Sequence, residues 1–167
     1  MRGLRRLDRF NRLSEEEAIG ELLAVCHARR WAEQVAAARP YADLAALQET
    51  ADQVWLGLSP RRDWLEAFEA HPRIGEAGGA SAGWSRQEQA GVGGASPQVR
   101  ERLARANAEY EARFGYVFLI SAAGRSADEI LAALEQRLGN DPGTELKTAA
   151  AEHRRITRLR LERLMAG

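Results

Sequence analysis

"YVFLISA", Tyr116 to Ala122, is the stretch that decides the fold class. Its aromatic and β-branched residues suit a buried strand. A strand must pair its backbone groups with a neighbour, and a lone strand finds no partner in this chain. The stretch is therefore expected to be a mostly buried helix or an extended segment. Leu, Ala, Arg and Glu dominate the 167 residues and β-branched types are few, so the composition favours helix nearly everywhere else. The expectation is an all-α fold, a single-domain compact bundle over residues 1–167, of about seven or eight helices.

Start and stop signals on either side support this. Upstream, Ser96-Pro97 opens a long helix with Leu103, Asn107, Tyr110 and Phe114 on one face, and Gly115 ends it. Downstream, Ser126 and Glu129 form a capping box for a helix that ends at Gly139, and Asp141-Pro142 starts a last helix to about Leu164. In the first half, Ser14 and Glu17 form another capping box, followed by the apolar face of Ala18, Leu22 and Val25 with Cys26 beside it. A short helix around Trp31 to Ala38 stops before Pro40, and a third begins near Asp43. Ser59-Pro60 combines a hydroxyl cap with proline at the first helical position. That helix turns Trp64, Leu65 and Phe68 inward and must end by His71, because Pro72 disfavours the α conformation before it. "GEAGGASAGW" is then a loop, and "SRQEQAGV" a short helix starting at Ser85.

The 24 basic residues balance 24 acidic ones, which argues against nucleic acid as a partner. "HRRITRLRLER" mixes acidic and apolar residues with its basic ones and does not stand apart as a recognition helix. No apolar run reaches the ~20 residues of a membrane span. The basic start "MRGLRRLDRF" lacks the apolar stretch of a secretory signal, and "RLMAG" carries no peroxisomal tripeptide. Cys26 is the one cysteine, so a cytoplasmic location in a reducing compartment is expected, with the thiol packed in a helix. No CxxC or His/Cys ladder suggests a metal.

Candidate chemistry centres on His71, where a helix end, a proline and a glycine-rich loop meet in "HPRIGE". Its imidazole is either a favourable helix terminus or an acid–base group that titrates near neutrality. Ser85 and Glu88 make an S-x-x-E capping box; with Gln89 they would also suit a small anion rich in N–H and C=O groups at a helix N-terminus. In "AAGRS", Ala122 to Ser126, backbone N–H groups and Arg125 suit a carboxylate, against the simpler reading of a plain turn. Asn107, on an apolar face, is expected to bridge helices, since a buried amide must be paired. His27 and His153 are read as surface or packing residues. A helical interaction module, with these motifs serving as caps alone, is the alternative to an enzyme.

"HPRIGE", "SRQEQAGV", "NAEYEARFGYVFLISAAGRSADEIL" and "TELKTAAAEHRRITRLRLERL", in this order, resemble the 2-oxo-4-hydroxy-4-carboxy-5-ureidoimidazoline (OHCU) decarboxylase family. "WAEQVAAARPYADLAAL" resembles the N-terminal half of that family, so the likeness runs from about Leu7 to Leu164. The resemblance implies an all-helical, cofactor-free carboxy-lyase of urate breakdown that gives S-allantoin and carbon dioxide, commonly as a homodimer. It implies His71 as the catalytic histidine and Glu88 as part of the substrate-binding S-x-x-E-Q; the needs of the reaction add Glu88 as a second catalytic candidate that orients His71. It implies substrate binding by Pro72, Ser85 and Gln89 and by the stretch Ile120, Ser121, Ala122, Ala123 and Gly124, largely through backbone. Arg125 is added as a candidate for the substrate carboxylate.

Overall fold

A computed structural model of the protein describes residues 2–76 and 86–166. Among these residues the chain is all-α, with no strand; eight α-helices lie wholly within them. They fall into two compact units, residues 1–67 with 154–167, and residues 68–153.

The first unit holds α1 (Arg2–Arg12), α2 (Glu15–Val25), α3 (Arg29–Ala37) and α4 (Leu44–Leu56). It also holds the C-terminal half of α8 (Pro142–Ala166). α1 was not anticipated. Its apolar signal is little more than Leu7 and Phe10, three residues apart among arginines, and both are buried. The Arg39 guanidinium closes its C-terminal end, donating to the carbonyls of Phe10 and Leu13 at 2.8 and 2.9 Å. The Ser14 capping box forms as expected: its hydroxyl accepts from Glu17 N–H and the Glu17 carboxylate accepts from Ser14 N–H. Leu22, Trp31 and Leu47 are fully buried, each a contribution of roughly 1.5–3 kcal/mol. The Trp31 indole donates to Ala51 O at 3.1 Å, which ties α3 to α4. Cys26 is buried, and burial pushes its thiol up to about 12.

Ser59-Pro60 starts a helix, but not through the hydroxyl. Pro60–Trp64 forms a π turn that leads into α5 (Leu65–Glu69). The Ser59 side chain makes no capping bond; instead the buried Asp63 carboxylate accepts from Ser59 N–H at 3.0 Å. Only half of a reciprocal cap is built, and the acid supplies it.

The second unit begins at the end of α5 and includes a 3-10 turn (Ala90–Val92), α6 (Pro97–Phe114), α7 (Ala127–Arg137) and the first half of α8. The Ser96 hydroxyl caps α6 through Val99 N–H, and Gly115 ends it at φ +84°. The Ser126–Glu129 capping box starts α7. Between α6 and α7, Tyr116–Ala122 is neither helix nor strand. Phe118, Ile120 and Ala122 point into a core with Leu103, Tyr110 and Ile130.

The question raised by "YVFLISA" is answered by side chains in place of a second strand. The Arg137 guanidinium donates to Leu119 O at 2.6 Å, and Ser121 N–H donates to the Glu152 carboxylate at 3.1 Å. Arg137 lies over the Phe118 ring and is held by Glu145, with contacts of 2.8–3.1 Å. Glu145 is fully buried and also accepts from the Tyr110 hydroxyl at 2.6 Å. Burial, and then the Glu145 carboxylate, drive the Tyr110 phenol well above its usual range.

Among the described residues, no helix is long and apolar enough to cross a membrane.

Candidate active site

The described candidate residues all lie in the second unit. α5 ends at Glu69, and His71 N–H bonds back to Phe68 O at 3.1 Å. The helix thus stops just before "HPRIGE", as Pro72 requires. A tight turn follows, in which Glu76 N–H bonds Arg73 O at 2.9 Å. Gly75 takes φ +96°, a conformation that costs other residues roughly 1–2 kcal/mol. His71 and Pro72 are half-buried at the start of this turn. Arg73 is tied to α6 by a 2.8 Å bond to the Glu111 carboxylate.

The His71 ring meets the ring of His153 edge to face, with centroids 4.9 Å apart and planes at 84°. His153 is fully buried on α8 and also packs on Phe68, at 5.8 Å. It is thus a packing residue, and what it packs against is His71. Sequence spacing alone gave no hint of this pairing.

Ser85 lies outside the described residues, and so does the capping box it would make with Glu88. Residues 86–88 are helical, and Glu88 is buried. The expected short helix tightens after Gln89 into the 3-10 turn Ala90–Val92. The Gln89 side-chain carbonyl accepts from Gly75 N–H at 2.8 Å, which joins the second motif to the first.

Gly91 joins the second motif to the third. A Cβ placed there would lie 2.2 Å from Arg125 O, so only glycine permits this approach. The third motif turns at Ala122–Arg125, where Arg125 N–H bonds Ala122 O and Gly124 takes φ +77°. Ile120 and Ala122 are buried, Ala123 is half-buried and Gly124 is exposed. The backbone of Ser121 is engaged at both ends: its N–H on Glu152, its carbonyl on Arg125 Nε at 3.1 Å. Arg125 also lies 3.9 Å from Glu152. Its charge is therefore shared with the loop and α8. Glu152, Arg137 and Glu145, none of them singled out from sequence, support this stretch. The one available signal was their apolar-side spacing along α7 and α8, which reads as ordinary helix.

Gly91→Ala is expected to destabilise the protein by about 1–3 kcal/mol, because a backbone carbonyl must move to admit the methyl group. Urea unfolding measures it; an unchanged midpoint would contradict the close approach.

A cleft of about 450 Å³ opens beside the first two motifs, lined among others by Arg73, Ile74, Arg86, Gln89, Arg100 and Asn107. Arg100 donates to Gly93 O at 2.7 Å. Asn107, expected to bridge helices, instead donates from Nδ2 to Ile74 O in the turn after His71, at 3.2 Å. Among the described residues, no cluster of His, Cys, Asp and Glu suits a metal ion.

The arrangement gathers an imidazole, a buried carboxylate, two side-chain amides and several guanidinium groups into one unit. Such a set can move protons and hold a polar anion. Comparisons with known proteins agree in kind. Residues 11–162 match the family model described as OHCU decarboxylase. The uric acid degradation bifunctional protein of Arabidopsis thaliana is 36% identical over 147 residues, which cover 84% of this chain and 45% of that protein. The chain therefore spans less than half the length of that relative. The 2-oxo-4-hydroxy-4-carboxy-5-ureidoimidazoline decarboxylase of Haloferax volcanii is 30% identical over 159 residues, covering 93% of each. A crystal structure of OHCU decarboxylase in the presence of (S)-allantoin superposes with a TM-score of 0.79 at 31% identity, over 93% of this chain and 100% of that one. With a family match running through both compact units, and the four motifs in order along it, this chain belongs to the OHCU decarboxylase family.

Proposed function

We propose that this protein decarboxylates 2-oxo-4-hydroxy-4-carboxy-5-ureidoimidazoline to (S)-allantoin and carbon dioxide, the last step from urate to allantoin. The observation that carries the reading is the bond from Gly75 N–H to Gln89. It ties the turn after His71 to the second motif, which supports a reading in which groups separate along the chain act on one ligand.

The substrate carbon that loses carbon dioxide bears a hydroxyl and a carboxylate, next to a ring C=N. Breaking the C–C bond leaves an electron pair that flows into that C=N, the sink that a cofactor supplies elsewhere. The result is an enol-like ring, whose hydroxyl becomes the carbonyl of the product. Delivery of a proton to the ureido-bearing carbon from one face sets the S configuration. The anionic substrate takes up one proton overall and yields neutral allantoin and carbon dioxide.

In this reading His71 handles the protons. Glu88 accepts from the hydroxyl or ureido N–H groups and orients His71. Ser85 and Gln89 hold the ureido and ring amides, Pro72 lies against the substrate, and the backbone from Ile120 to Gly124 lines the other side. The contact of Arg125 with Glu152 favours a role in shaping that backbone along with any direct contact to the carboxylate. The rate gain comes mainly from positioning. No cofactor is needed. The family match from 11 to 162 supports a single domain over residues 1–167, and the reading includes a cytoplasmic homodimer.

The test is a coupled assay. Urate is converted by the two preceding activities, this protein is added, and circular dichroism follows optically active allantoin. Racemic product at the background rate would sink the proposal.

A further inference from the structure

We propose that Asn107 binds the ligand directly: its Oδ1 accepts an N–H from a carboxylate-bearing ureide seated in the cleft beside Gln89. The inference rests on the functional reading above and names a contact which that reading does not contain.

Asn107 is 3% exposed, on the inward face of α6. Its Nδ2 donates to Ile74 O, and this bond decides which end of the amide is which. A flipped amide would set two oxygens against each other. The remaining atom, Oδ1, is buried and has no hydrogen-bond partner among the described residues. A buried acceptor without a donor is costly, and native proteins supply one from water or ligand. Asn107 lines the 450 Å³ cleft, so a donor can reach it from that side.

The rest of the lining narrows the donor's chemistry. Arg73, Arg86 and Arg100 are in the lining, with Glu76 the one acidic residue among the described lining residues. Arg73 is already paired with Glu111 and Glu76, so the cleft keeps a modest positive excess. A simple dianion would suit the arginines but bring no N–H to Oδ1. A neutral amide would serve Oδ1 but gain nothing from the positive excess. A ureide that also carries a carboxylate meets both demands, with apolar Ile74, Val92 and Leu103 against its flat faces. A site built around an acceptor also rejects analogues that present oxygen where the N–H should be.

Ureidoacetate serves as the probe and glutarate as the control without N–H groups. Calorimetry is run on the wild-type protein and on Asn107→Leu. Ureidoacetate binding is expected to weaken about tenfold in the variant, the loss of one hydrogen bond, while glutarate binding is unchanged. In the wild-type protein, the Asn107 13Cγ resonance is expected to move downfield on saturation with ureidoacetate, a readout that does not depend on the variant folding. Equal ureidoacetate affinity in both proteins, no binding to the wild type, or an unmoved 13Cγ signal overturns the proposal; a buried water then satisfies Oδ1. The coupled assay on the same wild-type preparation separates the two readings. An active enzyme with an indifferent Asn107 loses only this inference, while an inactive wild type removes the decarboxylase reading itself.

Discussion

His71→Ala is expected to lower kcat for decarboxylation by about 10²–10⁴-fold, the range lost when a positioned acid–base group is removed. The half-buried side chain leaves a gap against His153, so some packing is lost as well. The expected pattern is nonetheless catalytic. KM changes little, because binding is assigned to other groups: Gln89, Ser85 and the backbone after Ile120. The substrate must be generated fresh, since it decays without an enzyme, and both the rate of carbon dioxide release and the optical activity of allantoin are followed. Protonation from solvent has no preferred face, so residual product from the variant should be close to racemic. A wild-type rate with full stereoselectivity would remove His71 from the mechanism.

Arg137→Met should have the largest effect on stability. It leaves the fully buried Glu145 carboxylate without its cation and takes the donor from Leu119 O. Breaking one side of a buried ion pair costs about 3–5 kcal/mol. For a chain of this size that corresponds to a fall in Tm of roughly 6–20 °C. The Tyr110 hydroxyl and Asn140 still donate to Glu145 and offset part of the loss. Replacing both partners, Arg137→Met with Glu145→Leu, should recover some of it, because no uncompensated charge then remains. Thermal melts of the three proteins test this. A shift in Arg137→Met smaller than roughly 2 °C would mean that the segment is held without Arg137, by its apolar side chains and the Ser121–Glu152 bond.

Helix starts were legible where the cap is local. Ser14, Ser96 and Ser126 each bond a backbone N–H three residues on, and nothing distant competes. Ser59 fitted the same pattern, yet its hydroxyl makes no capping bond: the turn opens as a π turn, in which the N–H groups of Asp63 and Trp64 both bond the Ser59 carbonyl. α1 escaped notice because two apolar residues among arginines do not make a periodic face until something packs against them.

The site divides in the same way. The sequence by itself determined that the chain is helical, that a helix must stop at "HPRIGE", and which residue types carry chemistry. These follow from backbone sterics, capping and proton affinity, which act within a few residues. Only the tertiary structure decided that Gln89 closes on Gly75, that Gly91 abuts Arg125, that His153 lies against His71, and that "YVFLISA" is neither helix nor strand. The physical reason is that each of these joins residues far apart in the chain. A backbone group that finds no partner locally takes whichever side chain the packed core brings to it, and for Leu119 and Ser121 those are Arg137 and Glu152.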